Sequence, residues 1–236
     1  MSARPAPSMI VVANVPAATG ARLVTVEAPT AWTFRVGQVV ELATTPDTAG
    51  YFAIASAPSE LGCGLSFLVK AGDSDSAPLM ALSPGQAVLV RGPFGAGFEL
   101  PAGVPPLLFV TAGSALGAVR SAIVERLAER RADRIALVVG ARTLADLAFA
   151  DELARWQAAG VRVRVALSGG DPPALWPLPI GRGRAQAQLA DLAGPGTHAF
   201  IAGSEALEDE VTAALIAHGV SPENIQRNYR PDSRGP

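Results

Sequence analysis

The stretch Leu107-Leu108-Phe109-Val110-Thr111-Ala112-Gly113-Ser114-Ala115-Leu116-Gly117-Ala118-Val119-Arg120-Ser121 decides how this chain is read. Residues 107–111 form an unbroken apolar run, the pattern of a strand buried on both faces. A loop of small residues follows, and residues 118–130 predict a helix. Such a loop lets backbone N–H groups and a helix N-terminus approach a pyrophosphate closely. Small residues at a strand–helix turn also serve tight packing, so the loop alone leaves both readings open. It is not the G-x-G-x-x-G fingerprint, and Arg142-Thr143, not an acid, follows the next strand.

Downstream, strand and helix keep alternating. Residues 135–139 predict a strand, 147–159 a helix and 161–167 a strand, followed by an irregular stretch. His198–Ala202 predicts a strand, 205–218 a helix and 225–229 a last short strand. This alternation means βαβ units around a parallel sheet. Gly140-Ala141-Arg142-Thr143, Leu167-Ser168-Gly169-Gly170-Asp171 and Ala202-Gly203-Ser204-Glu205 then gather at the carboxyl edge, where open α/β sheets bind ligands.

Upstream the pattern is different. Residues 9–13, 22–27, Val39–Ala43, 52–56, 65–69 and 87–91 are short apolar or alternating runs. Turn residues such as Thr19-Gly20, Pro46-Asp47 and Pro84-Gly85 separate them, which indicates a barrel or sandwich. Ser76-Ala77-Pro78-Leu79-Met80-Ala81-Leu82 reads as a short helix with Ser76 as N-cap. Pro101-Ala102-Gly103-Val104-Pro105-Pro106 reads as a linker. The expected division is 1–103, an antiparallel six-stranded barrel, and 104–236, a parallel-sheet α/β domain.

Composition narrows the function classes. Among 236 residues, 49% are hydrophobic and 17% charged, which suits burial rather than disorder. The net charge of −2 gives no electrostatic reason to expect nucleic acid or an anionic membrane as partner. One cysteine, Cys63, excludes a disulfide framework within the chain and a chain-borne iron–sulfur cluster. Two histidines argue against a protein-built zinc site. No apolar run reaches the roughly 20 residues a membrane helix needs. The start of the chain does not read as a signal peptide, and the expectation is a soluble cytoplasmic protein.

In the second half the pieces resemble, in order, the nucleotide domain of the ferredoxin–NADP reductase superfamily. Residues 111–121 resemble its T-G-x-G-I-A-P-x-R-S loop. Gly140-Ala141-Arg142-Thr143, with Asp146-Leu147 and Asp151-Glu152-Leu153, resembles Y-G-x-R-x-x-x-D-L-x-Y-x-D-E-L. Gly181-Arg182-Gly183-Arg184-Ala185-Gln186 resembles W-x-G-x-x-G-x-V-Q, and Ile201-Ala202-Gly203-Ser204 stands at the C-G-P position. The ending Ile225-Gln226-Arg227-Asn228-Tyr229 resembles a plant and bacterial branch of poorly characterised reductase-like proteins. In the first half, residues 32–42 resemble F-x-P-G-Q-[FY]-[VL], with Val36 for Pro. Tyr51-Phe52-Ala53-Ile54-Ala55-Ser56 stands where the family has R-P-Y-S-I-A-S. Leu68-Val69-Lys70 with Gly72-Asp73-Ser74-Asp75-Ser76 resembles the second flavin stretch, and Gly92-Pro93-Phe94-Gly95 the turn that closes the barrel.

The resemblance implies FAD in the barrel, NADP or NAD in the α/β domain, and hydride transfer between them with electrons passing to or from a separate protein or small acceptor. It assigns flavin contacts to Tyr51, Phe52, Ala53, Ile54, Ser56, Leu68, Val69, Lys70, Gly72, Ser74 and Ser76. It assigns nucleotide contacts to Thr111, Gly113, Ser114, Ala115, Leu116, Arg142, Thr143, Gly203 and Ser204. Ala53 and Ala202 take the positions nearest the reacting rings, and no metal is implied. Arg142 suits a 2′-phosphate. Several family residues are replaced: the pyrophosphate Arg by Gly50, the Tyr-Ser pair by Phe52-Ala53, the second loop Gly by Ala115, the loop Pro by Ala118 and the Cys of C-G-P by Ala202. A charge-assisted contact contributes about 1.5–3 kcal/mol, so loss of the Arg weakens FAD binding. A non-catalytic family member and an electron-transfer subunit of a larger enzyme are the rival readings.

Other residues read plainly. Cys63 has no histidine or base beside it in sequence and reads as an incidental thiol. His218 before Gly219 reads as a helix C-cap. Asp151 and Glu152 read as solvated first-turn charges. Tyr229 reads as packing for the last strand.

Overall fold

In a computed structural model, the described residues are 7–45, 48–72, 75–129, 131–170, 173 and 175–228. Ser74, expected at the flavin, and Tyr229 lie outside them.

The first half is antiparallel: β1 (Ser8–Ala18), β2 (Ala21–Val26), β3 (Val39–Ala43), β4 (Ala49–Ala53), β5 (Leu65–Lys70) and β6 (Ala87–Phe94). They pair in the order β4-β3-β6-β1-β2-β5, and an antiparallel bridge from Ile54 to Phe67 joins the two ends. Alternation puts Val40, Leu42, Leu65, Phe67, Val69, Val88 and Val90 inside. Each such side chain contributes about 1.5–3 kcal/mol when fully buried. The strand expected over 52–56 ends at Ala53, because Ile54 pairs with Phe67 across the closure and Ala55 N donates to Ser66 O.

The short helix α1 spans Ser76–Met80. Its N-cap is Asp75, not Ser76, which lies buried within the first turn. Asn14 reaches across the barrel and donates to the carbonyls of Leu79, Met80 and Leu82, so its end is capped by a side chain 65 residues away.

The second half holds β7 (Leu107–Ala112), α2 (Leu116–Ala128), β8 (Ile135–Ala141), α3 (Ala150–Ala158), β9 (Arg162–Leu167), β10 (Ile180–Arg182), β11 (His198–Ala202), α4 (Glu205–Ala217) and β12 (Ile225–Arg227). The strands run parallel in the order β10-β9-β8-β7-β11-β12. Leu107, Phe109, Leu137 and Val139 face α2 and α3. Leu108, Val110, Val138 and Ile201 face Val211 and Leu215 of α4. The strand order turns between β7 and β11, which opens a crevice at their carboxyl ends.

Two expectations change here. The helix expected over 147–159 starts at Ala150, because Phe149 adopts a left-handed backbone (φ 58°) and the Thr143–Asp146 turn precedes it. The irregular stretch after β9 contains β10, which extends the sheet.

The two halves share a packed seam. Phe98, from the loop after β6, meets Phe200 edge to face with ring centres 5.4 Å apart, and Phe200 stacks on Phe109 at 5.0 Å. Glu99 and Gln226 exchange two 2.8 Å hydrogen bonds: Glu99 N donates to Gln226 Oε1, and Gln226 Nε2 donates to Glu99 O.

Candidate functional site

Two adjoining cavities lie where the barrel meets the carboxyl edge of the parallel sheet. The first, about 340 Å³, has Val39, Gly50, Tyr51, Phe52, Ala53 and Leu68 on its barrel wall. Asp75, Ser76, Ser114, Ala115, Gly203, Glu208 and Asn228 complete it. Tyr51 is held edge-on by Phe94, with ring centres 5.8 Å apart. The second cavity, about 530 Å³, lies over the strand ends: Gly113 and Ser114 after β7, Arg142 after β8, Ser168 after β9, Arg184 after β10, and Ser204 with Glu210 after β11. Both volumes fall in the range of small-ligand sites, roughly 300–1,000 Å³. Lys70 and Ser114 belong to both walls. Lys70 is the only lysine in the chain.

Local sequence explains the second cavity. Gly113–Ala115 makes a single 3₁₀ turn that leads into α2, and a side chain on Gly113 would meet no atom within 4 Å. The first turn of α2 carries no acid, whereas that of α4 carries Glu205 and Glu208. The partial positive charge of a helix N-terminus is therefore offset at α4 and left open at α2, so an anion is best held by the loop before α2. Arg184 pairs with Glu210 at 3.2 Å. Asp146 accepts from Thr143 Oγ1 at 2.8 Å; that bond, with the Lys70 and Arg142 charges, keeps its carboxyl below the usual range against slight burial.

The structure gathers many of the expected residues and sets others apart. Tyr51, Phe52, Ala53, Leu68, Lys70, Ser76, Ser114, Ala115 and Gly203 line the first cavity. Lys70, Gly113, Ser114, Arg142 and Ser204 line the second. Ile54, Ser56, Val69, Thr111, Leu116 and Ala202 are buried and line neither. Their side chains face the cores; Ser56 Oγ accepts from Ser66 N at 3.1 Å. The Thr111 hydroxyl is fully buried with no hydrogen-bond partner among the described residues. Thr143 stands at the N-cap of its own turn, where its N–H and Oγ1 both donate to Asp146 Oδ2, and Gly72 is exposed beyond β5.

Of the lining residues not assigned a contact from sequence, Ser168 was expected at the carboxyl edge, and Asp75, Asp146, Arg184 and Asn228 stand in quoted stretches; Glu208 and Glu210 of α4 had no local signal. Glu152 corrects the picture of solvated charges: it accepts from Arg120 Nε at 2.8 Å and its side chain is only 16% exposed. His218 does cap α4, and Cys63 is a free, exposed thiol. Gly50 lies under the Phe52 ring: a Cβ there would come within 3.0 Å of Phe52 and 3.2 Å of Asp75. Any longer side chain at this position would have to displace that ring.

Among the described residues no helix is long and apolar enough to cross a membrane, and no group of three or more His, Cys, Asp or Glu is placed to hold a metal.

No protein-family model matches the chain. The gamma subunit of sulfhydrogenase 1 from Pyrococcus furiosus is 32% identical over 200 residues, 82% of this chain and 67% of that one. Fruit protein pKIWI502 of Actinidia deliciosa is 31% identical over 191 residues, 76% of this chain but only 59% of its own length. The Amycolatopsis cytochrome P450 reductase GcoB superposes with a TM-score of 0.80 at 23% identity, covering 97% of this chain and 71% of that one. A ferredoxin–NADP⁺ reductase from Neisseria gonorrhoeae, solved with bound FAD and NADP, gives 0.77 at 16% identity over 96% of this chain and all of that one. The antiparallel sheet before a parallel one, the loop at the head of α2 and the identity to the sulfhydrogenase subunit agree: the chain belongs to the ferredoxin–NADP reductase superfamily.

Proposed function

We propose that this chain is a flavin oxidoreductase, with residues 1–103 holding FAD and residues 104–236 holding NADP or NAD. The observation that carries the reading is the pair of cavities, one on the barrel and one on the sheet edge, that share Lys70 and Ser114. The residues fit such groups. Tyr51 and Phe52 give a planar ring an aromatic wall, with Val39, Ala53 and Leu68 as apolar floor. Lys70 supplies the cation that Gly50 does not, and Ser76 and Ser114 supply hydroxyls. The Gly113–Ala115 turn and the head of α2 suit a pyrophosphate.

When bound, the two rings supply the hydride exchange between nicotinamide C4 and flavin N5. The chain's own work is positioning and exclusion of water. Ala53 from the barrel and Gly203 from the end of β11, both small, line the first cavity, where bulkier side chains would compete with the rings for space. No side chain need act as acid or base at that step. Electrons then pass to or from a separate acceptor, a protein or a small molecule.

If this reading holds, protein purified after FAD supplementation and then denatured releases FAD into the supernatant. Saturating FAD that leaves both the visible spectrum and the melting temperature unchanged would overturn it.

Arg142 is exposed on the wall of the second cavity and suits a 2′-phosphate, so we assign it to NADPH selection. Arg142→Ala is expected to weaken NADPH binding about tenfold or more, as for a charge-assisted hydrogen bond, with NADH little affected. Calorimetric titration of both nucleotides checks this, and equal losses would assign Arg142 another role. A second reading, an electron-transfer subunit of a larger enzyme, is favoured by the 32% identity to a sulfhydrogenase gamma subunit. A stoichiometric second chain after tagged purification from the native host is its expected mark.

A further inference from the structure

The face of α2 turned toward the barrel is occupied at every turn. A Cβ on Gly117 would stand 3.2 Å from the Ala55 Cβ, so this helix turn lies flush on the chain just past β4. Four residues on, Ser121 Oγ accepts from Gly37 N at 3.3 Å. Glu125 accepts from Ser59 N at 2.7 Å. Between them stands Arg120. Its Nη1 donates to Ala55 O at 2.8 Å and to Glu60 Oε2 at 2.7 Å, and its Nη2 donates to Glu60 Oε1 at 3.0 Å and Glu152 Oε1 at 2.9 Å. Nε donates to Glu152 Oε2 at 2.8 Å, and the guanidinium carbon lies 5.4 Å from the Phe149 ring centre. Spacing 117, 120, 121, 125 is one helix face.

The arrangement is more than a surface ion pair. The Arg120 side chain is 14% exposed, Glu152 16% and Glu60 32%. All five guanidinium donor directions point at fixed acceptors, a use lysine cannot reproduce. The three partners come from different places: Ala55 and Glu60 from the barrel side, Glu152 from α3. Ala55 is two residues beyond Ala53 on the first cavity's wall, and α2 is the helix whose head forms the Ser114 wall shared by both cavities. Burial raises the Glu60 carboxyl, but Arg120 and the Ala57 N–H outweigh it and hold the group below its usual range.

We infer that Arg120 is a positioning residue that holds the Tyr51–Ala53 wall against the nucleotide loop within the packed junction of the two halves, so that the fine placement of the two bound rings depends on its five hydrogen bonds. This rests on the flavin and nucleotide reading of the two cavities. Arg120 lines neither cavity, so its loss should leave each binding site intact and spoil only their mutual placement. Misplacement of reacting atoms on the order of 1 Å can cost about a hundredfold in rate.

The test uses Arg120→Met and, because that variant strands two half-buried carboxylates, the triple variant Glu60→Gln/Arg120→Met/Glu152→Gln. FAD-loaded protein is mixed with saturating NADPH in a stopped-flow spectrophotometer. The expected result is flavin reduction slower by about a hundredfold and a weakened long-wavelength charge-transfer band, with FAD and NADPH dissociation constants within about threefold of wild type. Arg120→Lys should recover only part of the rate. Reduction within threefold of wild type in the triple variant, or a loss matched by weaker FAD or NADPH binding, would overturn the inference. Hydrogen exchange of the cofactor-free proteins separates this from failure of the flavin reading. The triple variant should exchange faster than wild type at Ala55–Glu60 and in the first turns of α2 while the seam around Phe98 is unchanged; equal exchange in both, whether or not FAD binds, would overturn the positioning role.

Discussion

Lys70→Glu is expected to weaken FAD and NADPH together, each by about a hundredfold or more. One charge-assisted contact is worth about 1.5–3 kcal/mol, roughly 10- to 150-fold in affinity, and reversal adds repulsion to its loss. The double effect follows from place: Lys70 ends β5 on the wall common to both cavities. The side chain is exposed, so the melting temperature should move by no more than about 2 °C. Both deficits should shrink in high salt, because the screening length falls from about 10 Å at 0.1 M to about 3 Å at 1 M. Titrations of each ligand at two ionic strengths check this. A loss confined to one ligand would assign Lys70 to one cavity and remove the observation on which the proposed function stands. Because the chain has no other lysine, amine acylation followed by mass spectrometry gives a second readout: bound nucleotide should protect Lys70.

Gly64→Ala is expected to be the most damaging single-methyl change to stability. Gly64 has φ 106° and closes the 3₁₀ turn Pro58–Cys63 that carries Glu60. A Cβ there would collide with the Val26 carbonyl oxygen, a backbone atom of β2 that cannot rotate away. Backbone strain and the displaced strand together should cost about 3 kcal/mol. For a chain of this size that lowers the melting temperature by about 6–12 °C. A scanning calorimetry shift under about 3 °C would show that the turn relaxes more easily than this geometry allows. Gly62, two residues earlier, has open space around it and serves as the control: Gly62→Ala should be close to neutral.

Much of the fold is local and was legible. Period-two alternation in residues 22–26 and 65–69 fixed which side chains fill the barrel, because a strand's faces alternate whatever its neighbours do. Unbroken apolar runs at 107–111 and 135–139 required burial on both faces, and the small-residue loop between strand and helix marked the carboxyl edge that became the second cavity. The helix boundary at Leu147 failed for a reason outside the segment: Phe149 takes a left-handed conformation with its ring against Arg120, a residue from another helix.

What only the tertiary structure decided are the relations between residues far apart in sequence. Nothing near Glu152 shows that its carboxylate is bound by Arg120, or that Glu60 shares the same guanidinium from the barrel side. Nothing near Lys70 shows that two cavities meet at it. The small-residue positions Gly50 and Ala202, equally notable as departures in sequence, part company in space: Gly50 is on the first wall beneath Phe52, and Ala202 is enclosed in the core. Sequence periodicity reports which face of an element is apolar, since that depends on a few neighbouring residues. The pairing of charges and the meeting of walls depend on how whole sheets pack, and that is set by the summed burial of the seam around Phe98, Phe109 and Phe200.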